Sequence, residues 1–275
     1  MLKRTNIIPG FYFTLGYTLL YTSLIVLIPL SCLFIKTATL TFNEFISIIT
    51  DSRTIAAYRL TFVTAFIAAF INSIFGFILC WVIVRYNFIG KKVIDAIIDL
   101  PFALPTSIAG LALVLLYTPE GILGKSLTKI GIQVAFTPIG ICFALIFVGL
   151  PFVVRTIEPV LQNIEQDIEE AASILGAGRL KIFTKIIIPN ILPAWITGFA
   201  LAFARGIGEY GSVIFISSNI PKVSEIISLL ITIKLELFDY SAATAIAVVM
   251  LIISFILLLI INMLQLWSNC HDQQH

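Results

Sequence analysis

Six stretches of this chain are long and apolar enough to leave water altogether, and no other property limits its fold so strongly. A helix needs about 20 residues, at about 1.5 Å each, to cross the hydrocarbon layer. Phe11 to Ile35, Leu60 to Val84, Leu100 to Tyr117, Ile130 to Val154 and Tyr240 to Trp267 carry no charged residue, and Ile191 to Ser217 is interrupted only by Arg205 and Glu209. Lipid cannot satisfy an open sheet edge, so continuous runs of this length predict helices rather than barrel strands. The expected fold class is an all-α membrane protein, a single six-helix transmembrane domain over residues 1–275 with a polar tail at 268–275. Composition supports this. With 59% hydrophobic and 12% charged residues, and a mean hydropathy of +1.07, the chain has too little polar surface to coat a soluble globule.

The first run follows Lys3 and Arg4. It is too long for the core of a cleavable signal peptide and lacks a small-residue cleavage site, so it is expected to remain as the first span. Six spans put both termini on one face, and charge counting chooses that face only weakly. Lys3, Arg4, Arg85, Lys91, Lys92, Arg155, Arg179, Lys181 and Lys185 fall on the candidate cytoplasmic side, against Lys36, Arg53, Arg59, Lys125, Lys129, Lys222 and Lys234 on the other. Arg155, just after the fourth run, reads as an interface anchor. Residues 225–239 alternate apolar and charged side chains in a helix-like stretch suited to lying on the membrane or to receiving a soluble protein.

Between the fourth and fifth runs the chain becomes amphiphilic, over about residues 158–189. Ile164, Ile168, Ala171, Ala172 and Leu175 recur at three- and four-residue intervals, which places them on one face of a short helix. Asp167, Glu169 and Glu170 fall largely away from that face. Gly176 and Gly178 flank Ala177, a pattern that ends a helix at positive φ and turns the chain. A second short helix is expected from Arg179 to about Ile187, stopped by Pro189. The paired alanines allow a partner's groove to approach the backbone closely. An amphipathic helix lying flat on the bilayer is the plainer alternative.

The spacing of Glu170, Ala171 and Ala172, then Gly176, then Ile186 and Pro189, resembles the EAA loop of ABC importer permeases. That loop sits in a groove of an ATP-hydrolysing subunit. Ile188 stands where the family usually has leucine. The stretches LPFALPTSIAGLAL (100–113), LPFVVRTIEPVLQNIEQDIEEAA (150–172) and GFALAFARGIGEYGSVIFISSN (198–219) are similar to sulfate-type permeases of that superfamily. Molybdate permeases share the Ala-Phe-Ala-Arg stretch and the Gly208-Glu209 pair, and a molybdate or tungstate permease is the alternative. The resemblance implies a six-helix type I importer domain with a coupling loop that contains Glu169, Glu170, Ala171, Ala172, Gly176, Ile186 and Pro189. It implies two ABC ATPase subunits that hydrolyse ATP with magnesium, a second and related permease, and a soluble sulfate-binding protein. No cofactor is expected on this chain itself. The loop's need to meet ATP sets the orientation. The richness in Ile, Phe, Lys and Asn is typical of AT-rich genomes and points to a plastid inner envelope or a bacterial cytoplasmic membrane.

Arg205 and Glu209, four residues apart, are placed to pair. Either Arg205 lines or gates an anion path with Glu209 holding its geometry, or the two lock the fifth span against its neighbours. Repulsion of an anion by Glu209 favours its role as a partner of Arg205 over that of a ligand. Pro101 and Pro105, with Thr106, Ser107 and Gly110, make an irregular start to the third span, which either lines a cavity or is simply kinked by proline. Gly206, Gly208 and Gly211 match G-x-G-x-x-G, but inside a membrane run they serve close helix contact or local bending rather than a dinucleotide.

The remaining residue types narrow the function. Cys32, Cys80, Cys142 and Cys270 have no paired spacing, and His271 and His275 both lie in the tail. No phosphate loop, metal-ligand cluster or nucleophile–histidine set appears, so no chemistry is expected here and any energy must come from a partner. The net charge of +2 and the lack of a basic cluster give no sign of nucleic acid. A secondary transporter would more often show internal repeats, and none is found between the two halves. A lipid-embedded structural subunit would not need the loop spacing.

Overall fold

The computed structural model describes residues 10–164 and 166–272, with side chains described to Met263 except at 166. Glu165, Cys270, His271 and the tail's side chains lie outside that description. Twelve helices follow in order: α1 Phe11–Thr37, α2 Phe42–Ile49, α3 Ser52–Arg85, α4 Lys91–Ala103, α5 Thr106–Tyr117, α6 Gly124–Lys129, α7 Pro138–Asn163, α8 Gln166–Ile174, α9 Arg179–Ile207, α10 Val213–Ile216, α11 Ile227–Glu236 and α12 Tyr240–Asp272. No strand occurs among the described residues. Among the described residues five helices are long and apolar enough to span a membrane, and the bent pair α4–α5 makes a sixth if counted as one span.

The chain divides into two compact units, Met1–Asp51 with Ile231–Leu251, and Ser52–Leu230 with Ile252–His275. In the first, α1 has no buried residue along the part that would cross the bilayer. In the second, α3, α7 and α9 pack against one another. Their contacts rest on small side chains, because hydrocarbon gives apolar helices no hydrophobic drive to associate and only close packing remains. Ala65, Ala68, Ala69, Ala144, Ala200 and Ala202 are buried. A Cβ on Gly76 would lie 2.8 Å from Val153 Cγ1, and one on Gly198 would lie 3.0 Å from Val153 Cα.

Several expected boundaries move. The run 100–117 is two helices that meet at 117°. Pro101 is inside α4, and the chain breaks at Leu104 and Pro105, where Leu104 is extended (φ −87, ψ 135) as a residue before proline prefers. The fourth helix starts at Pro138 rather than 130 and runs on to Asn163, so Arg155 lies within it rather than after it. The fifth ends at Ile207, which leaves Glu209 beyond the helix. Pro189 does not stop the chain: α9 runs unbroken through it. A π turn over Phe183–Ile187, in which the Ile188 amide donates to the Phe183 carbonyl, takes up one extra residue just before the proline. The same device, Ser23–Leu27, precedes Pro29 in α1. Wide turns of this kind relax the clash between a proline ring and the preceding turn.

Candidate functional site: a helical hairpin and a crossing of two helix breaks

The amphiphilic loop folds as a helical hairpin. Its first arm, α8, ends in the hydrogen-bond pattern that the glycine spacing predicts: Gly176 has φ 83, its amide donates to Ser173 O (3.0 Å), and Ala177 N donates to Ala172 O (3.0 Å). These are the two bonds of a Schellman stop. Gly178 is extended (φ −67, ψ 156) and begins the second arm, the first turn of α9. Ile168, Ile174, Leu175 and Leu180 are exposed, the last three by 86%, 87% and 78%, so the hairpin shows apolar side chains that nothing among the described residues covers. Glu170 and Ala171 are exposed as well, and Ala172 is half-buried. Ile186 lies in the π turn and Pro189 on the exposed side of the continuing helix.

Two contacts hold the hairpin to the bundle, and neither shows in the loop's own sequence. Arg85, the last residue of α3, pairs with Glu169 and stands 5.6 Å from the ring centre of Trp81. On the second arm Phe183 meets Phe77 and Trp81, and Trp195 stacks on Phe77 at 5.0 Å. The Trp195 indole N–H donates to Ser73 O at 2.9 Å.

The second cluster forms where two interrupted helices cross. The turn after α9 lies against the start of α5: a Cβ on Gly211 would meet Thr106 Oγ1 at 2.2 Å, and one on Gly110 would meet Ser212 O at 2.4 Å. Arg205 Nη1 lies 2.6 Å from Glu209 Oε2, with side-chain exposures of 32% and 1%. The other carboxylate oxygen accepts from Ser212 N and Ser212 Oγ, both at 2.9 Å. Glu209 therefore has no free face for an anion, whereas Arg205 keeps one. Pro105 precedes the first residue of α5 and no side chain caps that end. Thr106 is half-buried and Ser107 exposed. Helix N-termini concentrate unpaired N–H groups and attract negative charge. Gly206 packs on Ala65, with a Cβ-to-Cβ distance of 3.3 Å for an added methyl. Gly208 closes α9 at φ −86, a conformation open to any residue.

Three further charged side chains have roles that sequence reasoning missed. Arg155 pairs with Asp95 and Asp99 of α4 and with Glu158 on its own helix. At the far end of α3, Arg53 grips Glu225 through two bonds of 2.7 and 2.6 Å. Glu225 is fully buried, so the stretch 225–239 begins inside the protein, and its exposed and half-exposed charges lie only further on, at Lys234, Glu236 and Asp239. The available signal was the pairing of opposite charges across runs: Asp95 and Asp99 are one turn apart, and so are Arg155 and Glu158.

Known proteins resemble the chain over most of its length. The family model for the "Binding-protein-dependent transport system inner membrane component" matches residues 72–269. The chain is 45% identical over 260 residues, 94% of both chains, to the sulfate transport system permease protein CysT of Escherichia coli. It is 47% identical over 259 residues to the probable sulfate transport system permease protein of Marchantia polymorpha, covering 94% of this chain and 90% of that one. Among solved structures, a bacterial alginate ABC transporter in complex with its pentasaccharide-bound periplasmic protein superposes with a TM-score of 0.76 at 20% identity, over 92% of each chain.

Proposed function

The chain belongs to the family of binding-protein-dependent transport system inner membrane components, and on that premise we propose that it is the membrane-spanning permease subunit of an ATP-driven sulfate importer. Kinship over almost the whole length to sulfate permeases supports the cargo, and molybdate is not favoured. The observation that carries the ATP-driven part is the hairpin of α8 and the start of α9, with Ile174, Leu175 and Leu180 uncovered. A surface of this kind fits a groove on an ATPase subunit, and ATP and magnesium belong to that partner. The permease supplies no chemistry in this reading. It changes which side its path opens to when two ATPase subunits close and draw the hairpins together. A second, related permease and a soluble sulfate-binding protein complete the assembly. The membrane is a plastid inner envelope or a bacterial cytoplasmic membrane.

The path runs past the crossing of the two helix breaks. Arg205 and the exposed start of α5, with Pro105 and Ser107, offer positive charge and N–H donors to a passing dianion, and Pro101 and the glycines 206 and 208 shape the backbone around it. Glu209 holds Arg205 in place. Irregular backbone at membrane depth is tolerated where it is buried or lines a cavity.

Radiolabelled sulfate uptake in a host lacking its own permease, competed with molybdate, tests the assignment. Uptake that needs ATP and the binding protein, and that molybdate suppresses only weakly, is the expected result. In the same assay Glu170→Lys and Gly176→Pro should cut uptake about tenfold or more while ATP hydrolysis continues and the protein stays inserted. Glu170 is exposed and Gly176 has open space at its Cβ position, so neither change disturbs a packed core, but proline cannot adopt φ 83 or donate to Ser173 O and therefore reshapes the hairpin turn itself. Parental uptake in both variants overturns the coupling role of the hairpin.

A further inference from the structure

Two lysines beside the hairpin have no acidic side chain to meet. α3 ends at Arg85, whose pairing with Glu169 sets this end of the helix against the hairpin, and the chain then turns through residues 86–90 into α4. In that turn Asn87, Phe88, Gly90, Lys91, Lys92 and Val93 line an open pocket of about 420 Å³. Lys91 is half-buried and Lys92 exposed, and among the described residues neither forms an ion pair. The acids of α4 itself, Asp95 and Asp99, are held by Arg155, and Glu169 is held by Arg85. The pocket therefore keeps two positive charges. An apolar surface runs on from it. Ile89 is fully exposed, and Val93, Ile97 and Leu100, at four- and three-residue spacing, make one uncovered stripe along α4. A spanning helix that ends at Arg85 puts the pocket at the membrane boundary, and Tyr86, exposed just after it, is a residue type enriched at that level.

We propose that this pocket binds the headgroup of an anionic lipid through Lys91 and Lys92, with an acyl chain laid along Val93, Ile97 and Leu100. The importer reading above supplies only the leaflet, that of the ATP side, and the binding itself does not depend on it. Charge and shape select this occupant together. A free anion would use the lysines and leave the stripe bare, whereas a lipid without net charge would cover the stripe and gain little from the lysines. An anionic lipid satisfies both. Lysine suits the place, since its hydrocarbon stem lies on apolar surface while its ammonium reaches the headgroup layer. Each lysine near an acidic membrane surface strengthens such binding by about fivefold. A lipid held here braces the start of α4, the helix that runs to the break at Leu104.

The test titrates the complete complex, purified in mild detergent, with phosphatidylglycerol or phosphatidylcholine, and reads lipid retained on this chain by native mass spectrometry together with the melting temperature. Phosphatidylglycerol should be retained and raise the melting temperature, and phosphatidylcholine should do neither. Lys91→Gln with Lys92→Gln should weaken retention by about twentyfold, the product of the two lysines, while Lys91→Arg with Lys92→Arg keeps it. Ile97→Ser, at an exposed position, should weaken it severalfold through the lost chain contact. Lys125→Gln with Lys129→Gln on α6 should leave it unchanged. Glycerol 3-phosphate, which has the headgroup's charge and no chains, should give no protection. Equal retention of the two lipids, parental retention in the double glutamine variant, or full protection by glycerol 3-phosphate overturns the lipid site. So does loss of the second permease from Ile97→Ser with retention unchanged, which would make the stripe a protein interface. None of these measurements needs ATP or sulfate, so a complex that fails to transport sulfate sinks the importer reading and leaves the lipid site standing.

Discussion

Arg205→Leu is expected to abolish sulfate uptake and to lower the yield of folded protein in the membrane. The change leaves the Glu209 carboxylate, 1% exposed, with Ser212 as its only partner among the described residues. Removing one member of a buried ion pair costs about 3–5 kcal/mol because a charge is stranded. The lower end applies here, since Arg205 is itself partly exposed. The double variant Arg205→Leu with Glu209→Gln separates the two roles of the pair. It strands no charge, and its amide can still accept from Ser212, so folded yield should return to nearly the parental level. If Arg205 meets the anion, uptake stays lost. Recovery of both yield and uptake in the double variant would show that the pair only fastens the helix. Membrane yield, thermal unfolding in detergent and uptake distinguish these outcomes.

Gly110→Val should be nearly as damaging, for a steric reason. Its Cβ would lie 2.4 Å from Ser212 O and 2.7 Å from Ser212 Cα, and both are backbone atoms that cannot rotate away. Overpacking of a rigid contact costs about 3 kcal/mol at the upper end of its usual range. The substitution pries α5 from the turn that carries Glu209, so uptake should fall with stability, read as a lower melting temperature in detergent. Gly178→Ala is the control: φ is −67 and no atom lies within 4 Å of the added carbon. Its melting temperature should stay at the parental value.

Much of this fold is visible in the order of residue types. Lipid is a strict solvent, so runs of uncharged side chains report spanning helices directly. The Gly176 stop and the Arg205–Glu209 pair were legible too, because both depend on neighbours within five residues. The break at Leu104 was not. Hydropathy averages over a window and sees neither a 117° bend nor the difference between Pro101, which α4 absorbs, and Pro105, which begins a new helix. Glu209 was placed on a helix for a similar reason, since a pair at four-residue spacing forms equally well across a helix end. Arg85, Arg155 and Arg53 were hidden by distance: their partners lie 84, 56 and 172 residues away in the chain. A charge near a membrane boundary looks like an anchor until its opposite number is seen.

The wide turn at Phe183–Ile187 has a consequence for how this stretch tolerates insertion and deletion. It holds one surplus residue, so everything after it is turned by about 100° relative to an unbroken α-helix. Removing any one codon within it would restore the regular coil and swing Trp195 away from Phe77 and from the Ser73 carbonyl. It would also press the Pro189 ring into the turn before it. Side chains in this segment are therefore freer to change in kind than the segment is to change in length.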